Sequence, residues 1–216
     1  YGNVTATGID TTNVYVGVFS TFGNNDATLA PTTDTTHFTY KAGVKYAIAS
    51  VATYAAGAQI QCTTTGNHAL LAGEPVTLTG MSVAAYDGTY LVQAAGLAGT
   101  TFVVIKAYSA TATGNATRPA TLKCLVANKY EASFSVSGTP ANPNDNLKFE
   151  LNKDATPLDN IGARGIWSSA TKYESLGSAG NISLTAGQYV WLSCKNYSGT
   201  GDITLYAANV SLHILK

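Results

Sequence analysis

The sequence predicts an all-β chain folded as an antiparallel sandwich. Three observations carry this. Runs rich in Val, Ile, Tyr, Phe and Thr recur along the 216 residues with almost no helical period. The runs stop at Gly, Asn, Asp or Pro, the residues that make turns. Within the clearest runs apolar and polar side chains alternate, which gives each strand one apolar face and one polar or mixed face.

In chain order the expected strands are 13–21, 37–41, 59–63, 75–79, 89–93, 101–107, 122–126, 129–138, 147–153, 180–184, 188–195 and 202–215. The stretch 161–169 is the nearest to a helix and still reads as loop or strand. In YEASFSVSG, Tyr130, Ala132, Phe134 and Val136 oppose Glu131, Ser133 and Ser135. In LKFELNK, Leu147, Phe149 and Leu151 oppose Lys148 and Glu150. In GQYVWLSCKN, Val190, Leu192 and Cys194 oppose Tyr189, Trp191 and Ser193. In the last run Tyr206, Ala208, Val210, Leu212 and Ile214 share a face, with Ser211 and His213 on the other. Large aromatics on an outward face belong under a loop or against a neighbouring subunit.

Residues 59–107 form a tighter pattern of short strands with turns every eight to twelve residues. Asp87-Gly88 reads as a turn pair and Gly99 punctuates the next hairpin. These strands suit a small barrel with a core of Ile60, Leu70, Val76, Leu78, Tyr90, Val92, Phe102 and Val104.

Charge narrows the partners. Charged residues make up only 11%, with 12 Lys+Arg against 12 Asp+Glu, where about 25% is typical. A neutral chain without basic clusters has no electrostatic reason to bind nucleic acid or an anionic membrane. Near-zero net charge favours association. No apolar run approaches a membrane span, and YGNVTATGID lacks the pattern of a signal peptide.

The motifs of catalysis are missing from the sequence. There is no GxSxG, no Walker loop and no GxGxxG between strand and helix. His37, His68 and His213 stand far apart, which argues against zinc. Asp145, Glu150, Asp154 and Asp159 are the only local carboxylate group, and solvated loop charges explain them better than Ca2+ does. Cys62, Cys124 and Cys194 read as buried thiols; a Cys62–Cys124 disulfide requires neighbouring strands. Five N-x-[ST] sequons, at Asn3, Asn115, Asn181, Asn196 and Asn209, are expected by chance in this composition. The expectation is a protein that is not an enzyme and has no cofactor.

Two resemblances organise the chain. Between Ala49 and Thr121 the pattern hxLxxGExVxLxGxxxxxYDGTYxVxxxxxxTFxV resembles the small SH3-like β-barrel repeat of bacteriophage virion and tail proteins. The motifs KYEASFSVSG, NDNLKFELNKD, LTAGQYVWLSCKNYSGTGDITL and NVSLHILK are similar to those of the trimeric jelly-roll proteins of tailed-phage virions, related in fold to the tumour-necrosis-factor and C1q heads. Ala186-Gly187-Gln188 stands where that family has an acidic-Gly pair. Residues 1–30 match weakly.

The resemblance implies a jelly-roll sandwich from residues 1–49 and 122–216, with a small barrel, 50–121, inserted at the tip of one hairpin. It further implies a homotrimer that decorates the outer surface of a capsid, bound to the major capsid protein and assembled in the host cytoplasm. The trimer contacts are expected from Tyr189, Trp191, Ser211 and His213. The alternative is a head-fibre or tail-fibre tip that binds a host-surface glycan.

Overall fold

A computed structural model of the chain describes residues 4–6, 15–16, 37–41, 43–140, 142–198 and 203–215. Among these the strands are β1 (Val4–Ala6), β2 (Tyr15–Val16), β3 (Phe38–Lys41), β4 (Val44–Tyr54), β5 (Gln59–Thr64), β6 (Pro75–Thr79), β7 (Gly88–Leu91) and β8 (Thr101–Val104). They continue as β9 (Gly114–Arg118), β10 (Thr121–Cys124), β11 (Asn128–Pro140), β12 (Asp145–Lys153), β13 (Thr156–Trp167), β14 (Glu174–Leu184), β15 (Tyr189–Asn196) and β16 (Ile203–Ile214). Of the expected strands 13–21 and 202–215, the residues outside β2 and β16 lie largely outside the described residues. No helix among the described residues is long and apolar enough to cross a membrane.

The chain divides into two compact units, Tyr1–Gly43 with Ala120–Lys216, and Val44–Pro119. The first is a jelly-roll sandwich. One sheet runs β1-β16-β11-β14 and the other β13-β12-β15-β10-β3, with β2 also beside β15. The alternation of β11 turns Tyr130, Ala132, Phe134 and Val136 inward, and that of β12 turns in Leu147, Phe149 and Leu151. Phe149 stacks on Trp167 at 5.7 Å and Phe38 meets Tyr130 edge-on at 5.1 Å. Tyr130 is fully buried, and its hydroxyl donates to the Val126 carbonyl, which removes the cost of burying an unpaired phenol.

Asp154 joins three strands at one end of this sandwich. It takes a left-handed φ of 55° in the turn from β12 to β13, a conformation Asp tolerates better than most residues. Its carboxylate accepts from the Tyr189 amide and from Gln188 Nε2, and its carbonyl accepts from Trp191 Nε1. Gln188 Oε1 in turn accepts from the Thr185 amide. Gln188 thus ties the start of β15 to Asp154.

β16 changes face part-way. Its register with β11 shifts between Ser137 and Gly138, leaving Tyr206 as the extra residue. Before the bulge the core residues are Ile203 and Leu205; after it they are Ala208, Val210 and Leu212. Gly138 makes this possible, since a Cβ there would lie 2.3 Å from the Thr204 carbonyl oxygen.

The second unit is a curled sheet in the order β7-β6-β9-β4-β5-β8. A single bridge, Gln93 to Val103, links the segment after β7 to β8 and closes the curl into a small barrel. Its core holds Ile60, Leu70, Val76, Leu78, Val92, Phe102 and Val104, with Tyr90 packed at its edge. Tyr86 is fully buried too; its hydroxyl donates to the Ala110 carbonyl and accepts from the Ser109 and Ala110 amides. Glu74 accepts from the Leu71 amide, and its carboxylate lies 3.9 Å from the Arg118 guanidinium, both groups buried. Asp87-Gly88 is the end of the loop from β6 to β7 rather than a hairpin turn: Asp87 accepts from the Met81 amide, and Gly88 opens β7.

This unit starts at Val44, before the expected residue 50, because β4 runs through that position. The first half of β4 pairs with β9 and the second with β5. On either side of the unit's ends the chain is paired with itself, Lys41 with Thr121 and Val44 with Arg118.

Candidate functional site

The four residues singled out in the sequence separate into two pairs. Tyr189 and Trp191 are 4% and 2% exposed within the single chain, so neither is available to a second copy. Alternation placed them opposite the core residues Val190 and Leu192, as observed, but both faces of β15 are covered. The Tyr189 amide and the Trp191 indole N–H both donate to Asp154, which fixes the two residues as internal anchors. Ser211 and His213 lie on the outward face of the four-stranded sheet, His213 exposed and Ser211 half-buried.

That face has an unusual chemistry. Three successive cross-strand rows read Ala179–Ser133–Ser211, Gly177–Ser135–Asn209 and Ser175–Ser137–Ala207. Every side chain in them is short and uncharged. Titratable groups gather at one end, where Glu131 pairs in register with His213 and Lys129 follows. At the other end Tyr173, 72% exposed, meets Tyr206 edge-on at 4.8 Å. Tyr206 is available for this because it is the extra residue of the bulge. The sequence hid this pair, since simple alternation puts Tyr206 in the core.

A second surface lies on the outward side of the other sheet. Arg164, Lys148 and Lys195 occupy one register row across β13, β12 and β15. Lys148 pairs with Glu150 and, at 3.3 Å, with Asp159. The hydrogen bond to Glu150 is the main reason its ammonium is held above the usual lysine range. The Arg164 guanidinium carbon lies 4.3 Å and Lys195 Nζ 4.9 Å from the ring centre of Tyr197. Arg164 Nε donates to Asn146 Oδ1 at 2.8 Å. Ile166, 62% exposed, flanks the row on β13. Strand spacing brings these cations together, so no basic run in the sequence announces them.

The remaining chemistry is dispersed. Among the described residues no three of His, Cys, Asp and Glu gather as metal ligands. Glu150 and Asp159 flank Lys148, Asp154 is bound to β15, and Asp145 accepts from the Ser198 hydroxyl. Cys62, Cys124 and Cys194 are all buried free thiols, with Cys62 in one unit and Cys124 in the other. Burial pushes the Cys62 thiol up to about 12 and the Cys194 thiol well above its ordinary range, so both are inert as nucleophiles at neutral pH.

No family model matches the chain, and no curated protein matches it. Among solved structures it is similar to Eiger TNF from S. frugiperda, with 12% identity, a TM-score of 0.36, and coverage of 80% of this chain and 93% of that one. It is similar to the CBM22-1 xylan-binding domain from Paenibacillus barcinonensis Xyn10C, with 13% identity, a TM-score of 0.34, and coverage of 65% and 87%. Rabbit GITRL gives 16% identity, a TM-score of 0.23, and coverage of 39% and 68%. None of the three assigns a ligand or a partner to this chain.

Proposed function

We propose that the chain is a structural virion module, a decoration protein that binds the outer surface of a capsid as a homotrimer. The virion setting rests on the motif resemblances in both units. Self-association rests on one structural observation: the uncharged face of the four-stranded sheet with the exposed Tyr173–Tyr206 pair at its margin. Surface charge is what ordinarily keeps protein faces apart. Short side chains lose little rotamer freedom when ordered, and an exposed aromatic pair supplies the anchoring area that small residues lack. Ser211 lies within this face and His213 at its charged end, so both remain contact residues. The barrel unit and the second sheet are then left for the capsid protein.

Light scattering on the purified chain at micromolar concentration is expected to give three times the chain mass. Ser135→Lys, which sets a charge in the middle row, is expected to shift it to the monomer with an unchanged circular dichroism spectrum. A monomeric wild type overturns the reading. Copy number per virion separates the two settings: hundreds of copies fit decoration, and a handful fits a fibre tip that binds glycan.

A further inference from the structure

The row Arg164–Lys148–Lys195 is electrostatically incomplete. Like charges directly opposite one another on neighbouring strands are destabilising. Here three cations share one row in a chain that has only 12 Lys+Arg in all. Lys148 is balanced by Glu150 and Asp159. Among the described residues Arg164 and Lys195 have no carboxylate partner; what holds them is the face of Tyr197, and for Arg164 also the amide oxygen of Asn146. Cation–π contacts at a surface contribute about 0.5–1 kcal/mol and leave the charge in place. They orient the two cations without neutralising them.

We propose that this row is a docking site for an acidic segment of a partner protein, with a carboxylate received by Arg164 and Lys195. The guanidinium is already oriented by Asn146 and the ring, so its remaining N–H groups are set for a charge-assisted bond to a carboxylate. Ile166, exposed beside the row, offers an apolar contact to a residue next to that carboxylate. Exposed Ile, Tyr and Arg together make the composition of a protein–protein anchor. A saccharide is the poorer fit, because sugar rings stack on open aromatic faces and the guanidinium lies against that of Tyr197 at 4.3 Å. The site belongs to the sheet opposite the uncharged face, so it is independent of self-association.

The test uses the full chain and a fluorescein-labelled octapeptide of alternating Glu and Leu, with polygalacturonate as the acidic saccharide. The peptide is expected to bind with an affinity that falls as salt rises. Lys195→Gln is expected to weaken binding about tenfold, the loss of one charge-assisted hydrogen bond, and Arg164→Gln with Lys195→Gln to abolish it. Lys129→Gln, on the other sheet, should leave it unchanged. The proposal is overturned by absence of peptide binding, by equal binding of the double variant, and by tighter binding of polygalacturonate than of the peptide.

Discussion

Cys62 lies on β5 with no exposed surface, and burial moves its thiol from 9.0 to about 12. In the unfolded chain the same thiol ionises near its ordinary value. Proton loss therefore favours the unfolded state as pH rises from about 9 to about 12, by about 1.4 kcal/mol per pH unit. Below pH 9 the contribution is fully present. The expected outcome is a steep alkaline loss of stability in the barrel unit, read as a falling denaturation midpoint across that window. Cys62→Ala should flatten the fall, which isolates the thiol from the neighbouring phenols. Tyr86 is a useful contrast: burial pushes its phenol up, but hydrogen bonds from the Ser109 hydroxyl and the Ala110 and Ser109 backbone outweigh this and hold it low. Burial of Cys62 was legible in the sequence because it alternates with polar residues in IQCTT. Burial of Tyr189 and Trp191 was not, because a period of two says which face a residue takes but not whether that face is covered.

At the scale of elements, the bulge in β16 decides which residues are outward. Without it Ala208, Val210 and Leu212 would leave the core and Asn209 and Ser211 would enter it, since a one-residue slip inverts a strand. Gly138→Ala drives a Cβ against the Thr204 carbonyl, where backbone has to move. The expected cost is about 1–3 kcal/mol, measured by chemical denaturation, together with weaker self-association because the face is carried on the same strand. Strands with an uninterrupted alternation, β11 and β12, were readable from sequence. β13 was not, because its Pro157, Asp159, Gly162 and Gly165 are turn-type residues, and its strand state follows from pairing with β12 at 156–157 and 162–167, on either side of a register shift. β9, GNATR, likewise owes its state to β4 and β6 on either side.

At the scale of the molecule, each unit has its own core, and each brings the chain's entry and exit together. Lys41 pairs with Thr121 in one unit, and Val44 with Arg118 in the other. Replacing residues 42–120 by Asn-Gly, a pair suited to two-residue hairpin turns, is expected to leave a folded sandwich with a cooperative melt. Loss of the β-type circular dichroism signal would show that the sandwich depends on its insert. The all-β jelly roll with a small barrel was legible because its alternation and punctuation are local. The position of the junction was less so, since β4 carries strand character through it without a break in composition.

The pairing of β3 with β10 also sets an order of events. In the unfolded chain these strands are separated by about 80 residues, and closing such a loop costs about 2.5 kcal/mol more than closing one of about four, at about 0.6 kcal/mol per doubling. The barrel's own pairing of Val44 with Arg118 closes a loop of about the same length, so a barrel that forms first has already met most of that cost. The insert then acts as a clamp that makes a distant strand pair local, so refolding of the sandwich should wait on the barrel.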